Sequence, residues 1–188
     1  MTVFPSTQMP GMADGPGFTG GTLDRADRLR HDAEALAAAR ADPRARLLLL
    51  DRLAPEMEMG ALRWRPLADA PPGADIVLLG IGERGIPHFA AAGHSGPAGD
   101  PPINVMALAA TLGREDAATY AAARSLVDWH RRHGFCARCG TRTEAFRAGW
   151  ARRCDQCGAE HFPGTVPVDR SVLQGWFDKL KALLGGGK

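Results

Sequence analysis

Four cysteines carry the clearest chemical signal in this sequence. They form two C-x2-C pairs, Cys136 with Cys139 and Cys154 with Cys157, with fourteen residues between the pairs and a glycine after each. Two such turns facing each other would place four thiolates in the tetrahedral arrangement of a structural zinc ion. Two disulfides or a redox C-x-x-C motif are the alternatives. The sequence favours zinc, because it shows neither a secretory signal nor the βαβ pattern around a redox motif.

With four protein ligands, such a zinc ion has no open position for water. We therefore predict one structural zinc ion per chain, and we assign no catalytic and no cofactor-binding residue. The histidines are expected to take no part in ligation. His130 and His133 are predicted to interact with the C-terminus of a helix, and His161 follows the second cysteine pair. His88 and His94 are predicted to be surface residues.

The side chains around the cysteines are aromatic and basic. Trp129, Phe135 and Trp150 are predicted to pack around the metal site as an apolar shell. Residues 128–161 contain seven arginines and four acidic residues. A zinc ion with four thiolates contributes two negative charges, so the net charge of this segment is about +1. Because phosphate binding relies on many neutralising contacts, this balance argues against nucleic-acid binding.

The rest of the chain must provide the elements that position this site. Its 188 residues are 45% hydrophobic, which indicates one ordinary domain and one small one. Apolar patterning predicts strands over 46–50, 57–66 and 75–81, the last returning in a hairpin over 86–91. The stretch 23–41 is predicted to form one helix, or two short ones broken near His31, with Asp32 as N-cap, and further helices are predicted over 103–112 and 115–132. The fold class is therefore α+β: a small mixed N-terminal domain, a four-cysteine zinc ribbon and a short C-terminal amphipathic helix.

We predict four segments along the chain. Residues 1–16 are expected to be disordered, 17–132 to form the α+β domain, 133–165 the ribbon, and 166–188 an amphipathic tail. In the tail, Ser171 and Gln174 match a capping box, and an apolar stripe runs from Trp176 to Leu184. This stripe predicts that the tail packs on its own chain or across a homodimer. The chain has no apolar run of 18 residues, so we predict no transmembrane segment and a cytoplasmic location.

Several motifs together resemble the NADH pyrophosphatase (NAD-capped RNA hydrolase) branch of the Nudix superfamily. The likeness covers roughly residues 17–163, and its motifs are Gly17-Phe18-Thr19-Gly20, Leu23-Asp24-Arg25, Leu126-Val127-Asp128-Trp129-His130, Phe135-Cys136-x2-Cys139-Gly140, Gly149-Trp150, Arg153-Cys154-x2-Cys157-Gly158 and His161-Phe162-Pro163. The resemblance implies an N-terminal α+β domain and a zinc ribbon that precede a catalytic Nudix domain. In that family the catalytic domain cleaves the diphosphate of NADH, NAD or a 5′-NAD cap with Mg or Mn.

The sequence departs from this family after Pro163. No glutamate follows Glu160, and the Nudix box, whose glutamates hold the divalent metals, is not found. The sequence therefore predicts a zinc-binding, non-catalytic assembly or binding module. The alternative is a truncated or split NADH/NAD diphosphatase whose Nudix half is supplied by another chain. In that case a separate Nudix chain is the partner, and Mg or Mn enters only with it. A zinc ribbon that binds nucleic acid is the weakest of the three hypotheses.

Overall fold

The computed structural model describes residues 20–93, 107–108 and 111–164. The disorder predicted for residues 1–16, most of the helix predicted over 103–112, the loop that contains His94 and the amphipathic helix after residue 170 lie outside the described residues. Of the predicted helix over 103–112, residues 107, 108, 111 and 112 are described; the first three are helical and residue 112 is a bend.

A five-stranded sheet forms the centre of the N-terminal part. Strand β1 (Arg46–Asp51) runs parallel to β7 (Pro87–Ala92), and β6 (Val77–Ile81) pairs antiparallel with β7. The other edge of β1 pairs with two short strands, β2 (Ala54–Pro55) and β5 (Arg65–Pro66). The predicted strands over 46–50 and 75–81 and the hairpin between residues 75 and 91 are confirmed.

The single strand predicted over 57–66 is wrong. The chain instead forms β3 (Met57–Glu58) and β4 (Ala61–Leu62), an antiparallel pair, before it reaches β5. Met59, between β3 and β4, has φ of 51° and is fully exposed. This left-handed turn reverses the chain, so only β5 reaches the central sheet.

Helices cover both faces of the sheet. Helix α1 (Asp27–Arg30) and helix α2 (Ala33–Ala41) are separated at His31, and α3 (Arg114–Arg132) is the long helix that leads into the ribbon. Of the two alternatives, two short helices are therefore found, and the predicted N-cap is confirmed, because Asp32 Oδ1 accepts a hydrogen bond from the Ala35 N–H at 3.0 Å. No described helix has the length and the apolar character needed to cross a membrane.

Alternating side chains of the sheet form two apolar layers. Leu48 and Leu50 of β1 belong to the layer that includes Leu126 and Val127 of α3. The opposite layer contains Leu47 and Phe89 of the sheet, Ala39 of α2 and Ala148 of the ribbon. Because successive side chains of a strand point to opposite faces, one run of leucines supplies both layers. The ribbon thus contributes to the core of the molecule.

The ribbon itself is a small antiparallel sheet. Strands β8 (Glu144–Phe146), β9 (Ala151–Arg153) and β10 (Glu160–His161) pair in the order β10-β9-β8. A 3₁₀ turn at Arg147–Gly149 joins β8 to β9 and packs next to β6. The described part of the chain therefore has the predicted α+β fold with a four-cysteine ribbon.

Candidate metal centre

Two equivalent backbone turns carry the cysteines. In the first, the Cys136 N–H donates to Thr141 O and the Gly140 N–H donates to Cys136 O, at 2.7 and 2.8 Å. In the second, the Cys154 N–H donates to Ala159 O and the Gly158 N–H donates to Cys154 O, at 2.9 and 2.8 Å. Both glycines have left-handed φ angles, 76° and 69°, which a side chain would strain. Each turn therefore needs the glycine that follows its C-x2-C pair.

The two turns bring all four sulfur atoms together. The Sγ atoms of Cys136, Cys139, Cys154 and Cys157 lie within 4.8 Å of one another. Cys136 is 3.6 Å from Cys157, and Cys139 is 3.5 Å from Cys154. Four sulfurs at the Zn–S distance of about 2.3 Å in a tetrahedron would be separated by about 3.8 Å. The four cysteines are thus positioned to bind a zinc ion.

The disulfide alternative does not match this geometry. All four thiols are free, and the shortest sulfur–sulfur distances far exceed the roughly 2.05 Å of a disulfide bond. Among the residues that the structure describes, these cysteines form the one group of three or more His, Cys, Asp or Glu side chains placed to hold a metal. The acidic side chains of this region form no comparable cluster.

Electrostatics within the cluster explain why a cation belongs there. A side-chain hydrogen bond with Thr141 is the main cause that lowers the pKa of Cys139 to about 6. At Cys157 a backbone hydrogen bond from Ala159 acts to lower the pKa, but burial and the neighbouring thiols raise it to about 12. Four thiolates cannot accumulate at such distances without a compensating positive charge, which zinc supplies when it is bound.

Neighbouring donors point at the sulfurs. The Arg138 N–H donates to Cys136 Sγ at 3.4 Å, and His161 Nε2 lies 3.3 Å from the same sulfur. His161 is therefore a neighbour of the cluster that can donate a hydrogen bond to a thiolate. Such contacts orient thiolate ligands and disperse their charge.

A buried polar network joins the ribbon to the N-terminal part. Arg152, on β9, is only 4% exposed. Its Nε donates to Thr143 Oγ1 at 2.8 Å, and its Nη1 donates to Asp75 Oδ2 at 2.6 Å and to His130 Nδ1 at 2.7 Å. Its Nη2 donates to Thr143 O at 2.6 Å. One guanidinium thus connects the ribbon with α3 and with the segment before β6.

The protonation state of His130 follows from its partners. Arginine can only donate, so His130 Nδ1 accepts, and His130 Nε2 carries the hydrogen donated to Gly149 O at 2.7 Å. Burial is the largest cause that lowers the pKa of His130. The imidazole is therefore neutral in the folded state.

Trp150 and Gly149 complete the contact between the two parts. Trp150 Nε1 donates to Leu78 O at 2.6 Å, and the Arg30 guanidinium lies 3.7 Å from the centre of the Trp150 ring. Gly149 packs so closely on β6 that an added Cβ would lie 2.8 Å from Val77 Cα. The 3₁₀ turn after β8 therefore sits directly on the central sheet.

Several predicted roles near the site need correction. His130 does not complement the end of α3, because it is buried against Gly149 and Arg152; His133 does, with Nδ1 2.9 Å from Trp129 O. His88 is half-buried and stacks edge-on against Trp64, because it belongs to the central sheet and faces that ring. Its Nδ1 donates to Ile86 O at 2.9 Å.

The predicted aromatic shell is only partly present. Trp129 is buried, and Trp150 packs against the N-terminal sheet more than around the metal. Phe135 is 64% exposed, so its predicted role as part of an apolar shell is wrong. The ribbon obtains its support from the N-terminal core, which the sequence motif alone does not reveal.

The residues missed by sequence reasoning are Arg152, Thr143 and Asp75. Arg152 is one of several arginines near the cysteines, and nothing in its immediate sequence sets it apart. β9 gave no signal either, because its neighbouring residues Ala151 and Arg152 are both buried and the strand shows no alternation that would set Arg152 apart.

Comparison with known proteins agrees with this site. The NADH pyrophosphatase zinc ribbon domain matches residues 131–162, which include all four cysteines. The chain is 35% identical over 187 residues to the NAD-capped RNA hydrolase NudC of Mycobacterium tuberculosis (strain ATCC 25618 / H37Rv) and to that of Mycobacterium bovis (strain BCG / Pasteur 1173P2). Each match covers 87% of this chain and 58% of the relative, so the chain spans less than two thirds of the length of these relatives.

Proposed function

We propose that residues 20–164 act as a zinc-stabilised, non-catalytic binding or assembly module. The chain matches the NADH pyrophosphatase zinc ribbon domain and is related to the NAD-capped RNA hydrolases. In this role the zinc ion fixes the two cysteine turns. The cysteine turns hold β9 in place, and Arg152 of β9 joins the ribbon to the N-terminal sheet.

The observation that carries this proposal is the composition of the metal site. Four thiolates saturate a tetrahedral zinc ion, which leaves no position for a substrate or an activated water. A diphosphatase that uses Mg or Mn needs oxygen ligands, above all carboxylates. The described residues hold no cluster of three or more carboxylates.

A second candidate function is NADH or NAD diphosphatase activity, including removal of a 5′-NAD cap. Its support is the relationship to proteins named NAD-capped RNA hydrolase. On this proposal the catalytic carboxylates and their Mg or Mn belong to a Nudix domain outside the described residues or in a separate chain. The described module then supports that domain without contributing a metal ligand.

A hydrolysis assay separates the two functions. The zinc-loaded chain is incubated with NADH or with NAD-capped RNA in the presence of Mg or Mn, and the release of mononucleotides is followed by chromatography. We expect no product above that of a matched preparation of Cys154→Ser. A product that persists through further purification, requires Mg or Mn and exceeds that control would contradict the non-catalytic role and support the diphosphatase.

The free thiols bear on the compartment of the module, and the exposed ribbon surface bears on its partner. Four reduced cysteines suit a reducing compartment, so we place the protein in the cytoplasm as part of this proposal. Phe135 and Phe162 of the ribbon are exposed, at 64% and 51%. They offer a contact for a second copy or for a separate Nudix chain, which sedimentation of the chain alone and of the mixture would distinguish.

A further inference from the structure

The four cysteines differ in their access to solvent. Cys136 and Cys154 are buried, with 3% and 0% of their surface exposed. Cys139 is exposed and Cys157 is half-buried. Each C-x2-C turn therefore has a buried first cysteine and a second cysteine that is open to solvent. Because the susceptibility of a thiolate to oxidation follows its exposure, an oxidant in solution meets Cys139 first.

Each accessible sulfur has a buried sulfur of the other turn beside it. Cys139 Sγ lies 3.5 Å from Cys154 Sγ, and Cys157 Sγ lies 3.6 Å from Cys136 Sγ. The sulfurs of such a pair need to approach by only about 1.5 Å to reach the roughly 2.05 Å of a disulfide bond. Cys154 is thus placed to act as the resolving thiol for Cys139.

We propose that Cys139 is a modification site for hydroperoxides, whose oxidation produces a Cys139–Cys154 disulfide and ends zinc binding. First, the Cys139 thiolate attacks the terminal oxygen of the hydroperoxide. The O–O bond breaks, alkoxide (hydroxide, from hydrogen peroxide) leaves, and the sulfur is oxidised to a sulfenic acid. Second, the Cys154 thiolate attacks this sulfur, the S–O bond breaks and hydroxide leaves. The two sulfurs lose two electrons, and the leaving groups take up protons to give an alcohol and water.

The disulfide would remove two of the four ligands of the metal. Cys136 and Cys157 remain as thiolates, and two sulfurs do not complete the four-coordinate shell of a structural zinc ion. The oxidised chain should therefore release its zinc. This inference adds a chemical response to the site, and it does not depend on the proposed binding or assembly role.

The same disulfide would keep the docked part of the ribbon in place. Residues 139 and 154 flank the hairpin of β8 and β9, which contains Ala148, Trp150 and Arg152. These three residues make the contacts with the central sheet and with the segment before β6. A bond between residues 139 and 154 joins the ends of this hairpin and restricts the unfolded chain. Oxidation should thus release zinc without undocking the hairpin, whereas a chelator should also loosen the docking contact.

Peroxide treatment of the zinc-loaded chain tests the inference. A chromophoric chelator follows the release of zinc, and mass spectrometry identifies the first disulfide. Trypsin cuts after Arg138 and so separates Cys136 from Cys139, and fragmentation of the linked peptide distinguishes Cys154 from Cys157. We expect zinc release to accompany formation of the Cys139–Cys154 disulfide. A thiol reductant with added zinc should restore the loaded chain.

Two matched variants test the order of events. Cys139→His and Cys157→His each replace an accessible sulfur by another common ligand of zinc. Cys139→His should release zinc at least about fivefold more slowly than the parent, because its most exposed thiolate is gone. Cys157→His keeps both reacting thiols, so it should release zinc within about twofold of the parent rate and form the same disulfide. Zinc content is measured before oxidation, and if either variant is metal-free, the disulfide map of the parent decides.

Hydrogen exchange compares the oxidised chain with the chelator-treated chain, both free of metal. Peptides that contain Val77–Ile81 should be better protected in the oxidised chain, because only there does a covalent bond hold the hairpin. Four results would overturn the inference: a first disulfide within one C-x2-C pair, oxidation beyond the sulfenic acid without a disulfide, zinc loss that a reductant does not reverse, or equal release rates in the two histidine variants. Equal protection of the oxidised and chelator-treated chains would contradict the retained docking.

Discussion

Cys154 is the ligand most closely connected to the rest of the protein. Its side chain is completely buried, and it follows Arg152, the buried residue that joins the ribbon to the N-terminal sheet. Loss of its thiolate would therefore remove one zinc ligand and leave a buried gap at the end of β9. Both changes would destabilise the ribbon.

We predict that Cys154→Ser abolishes zinc binding and unfolds the ribbon. Zinc binding to a four-thiolate site is itself folding free energy, on the order of 10 kcal/mol, which a small sheet cannot replace. Metal analysis should fall from about one zinc per chain to near zero, and proteolysis should cut between residues 133 and 164. Asp155→Asn, an exposed neighbour, is the control and should retain zinc. A ribbon that stays protected in metal-free Cys154→Ser would contradict the structural role.

His130 makes stability depend on pH in a predictable direction. Its burial lowers its pKa in the folded protein below the value of about 6.5 expected for the unfolded chain. Below pH 6.5 the unfolded chain therefore binds the proton more readily, and stability is lost as the pH falls. Above pH 6.5 both states are neutral, and the group has no effect.

We predict that His130→Gln reduces this loss. Between pH 7.5 and 5.5 the histidine accounts for up to about 1.4 kcal/mol of the decrease in the free energy of unfolding, and glutamine removes that part. Urea denaturation at both pH values, with zinc content checked at each, measures the difference. His31→Gln changes an exposed histidine and should respond to pH as the parent does. Parallel pH responses of the parent and His130→Gln would disprove this assignment.

At the scale of elements, the 3₁₀ turn between β8 and β9 carries the contact with the sheet. Arg147, Ala148 and Gly149 have φ angles of 50°, 55° and 84° in succession, so the turn is left-handed throughout. Ala148 is buried in the layer that contains Leu47 and Phe89. The strained conformation is maintained because it places this small side chain into the core.

Gly149→Ala is predicted to lower the free energy of unfolding by at least about 2 kcal/mol. A left-handed conformation costs a non-glycine residue roughly 1–2 kcal/mol, and the new Cβ would overlap the backbone at Val77. Thermal and urea denaturation measure the loss. Gly134→Ala is the matched control, since no atom lies within 4 Å of its added Cβ, and it should change stability by less than about 0.5 kcal/mol. Equal stability of the two variants would show that the close contact between this turn and the sheet does not contribute to the free energy of unfolding.

What could be predicted from sequence differs between elements for physical reasons. The cysteine turns and the strands at 46–50 and 75–81 depend on local spacing and on apolar runs, so they were found. The reversal at Met59 was missed, because methionine is not expected in the left-handed region and the following Gly60, with φ of 83°, was the one turn residue at that point. Arg152 and its partner Asp75 are 77 residues apart, and no local pattern reports such a pair.

At the scale of the whole molecule, ribbon and N-terminal part share one core. Ala148 belongs to the layer of Leu47, Trp150 donates to the carbonyl of Leu78, and Arg152 bonds Asp75 just before β6. A packing contact, a hydrogen bond and an ion pair thus connect the ribbon to the sheet at β6 and at the segment just before β6. Loss of the metal should therefore reach beyond the ribbon.

We predict that zinc removal lowers the protection of β6 as well as that of the ribbon. Without the metal the cysteine turns open, and the hydrogen bond from Trp150 and the packing of Ala148 on the sheet are lost with them. Hydrogen exchange followed by mass spectrometry should show fast exchange in peptides from residues 133–164. Peptides that contain Val77–Ile81 should exchange faster than in the zinc-loaded chain, whereas those of β1, which α3 still covers, should change less. Added zinc should restore both regions. If β6 keeps its full protection while the ribbon exchanges freely, the ribbon is connected to the sheet without stabilising it, and the shared core does not contribute to the protection of β6.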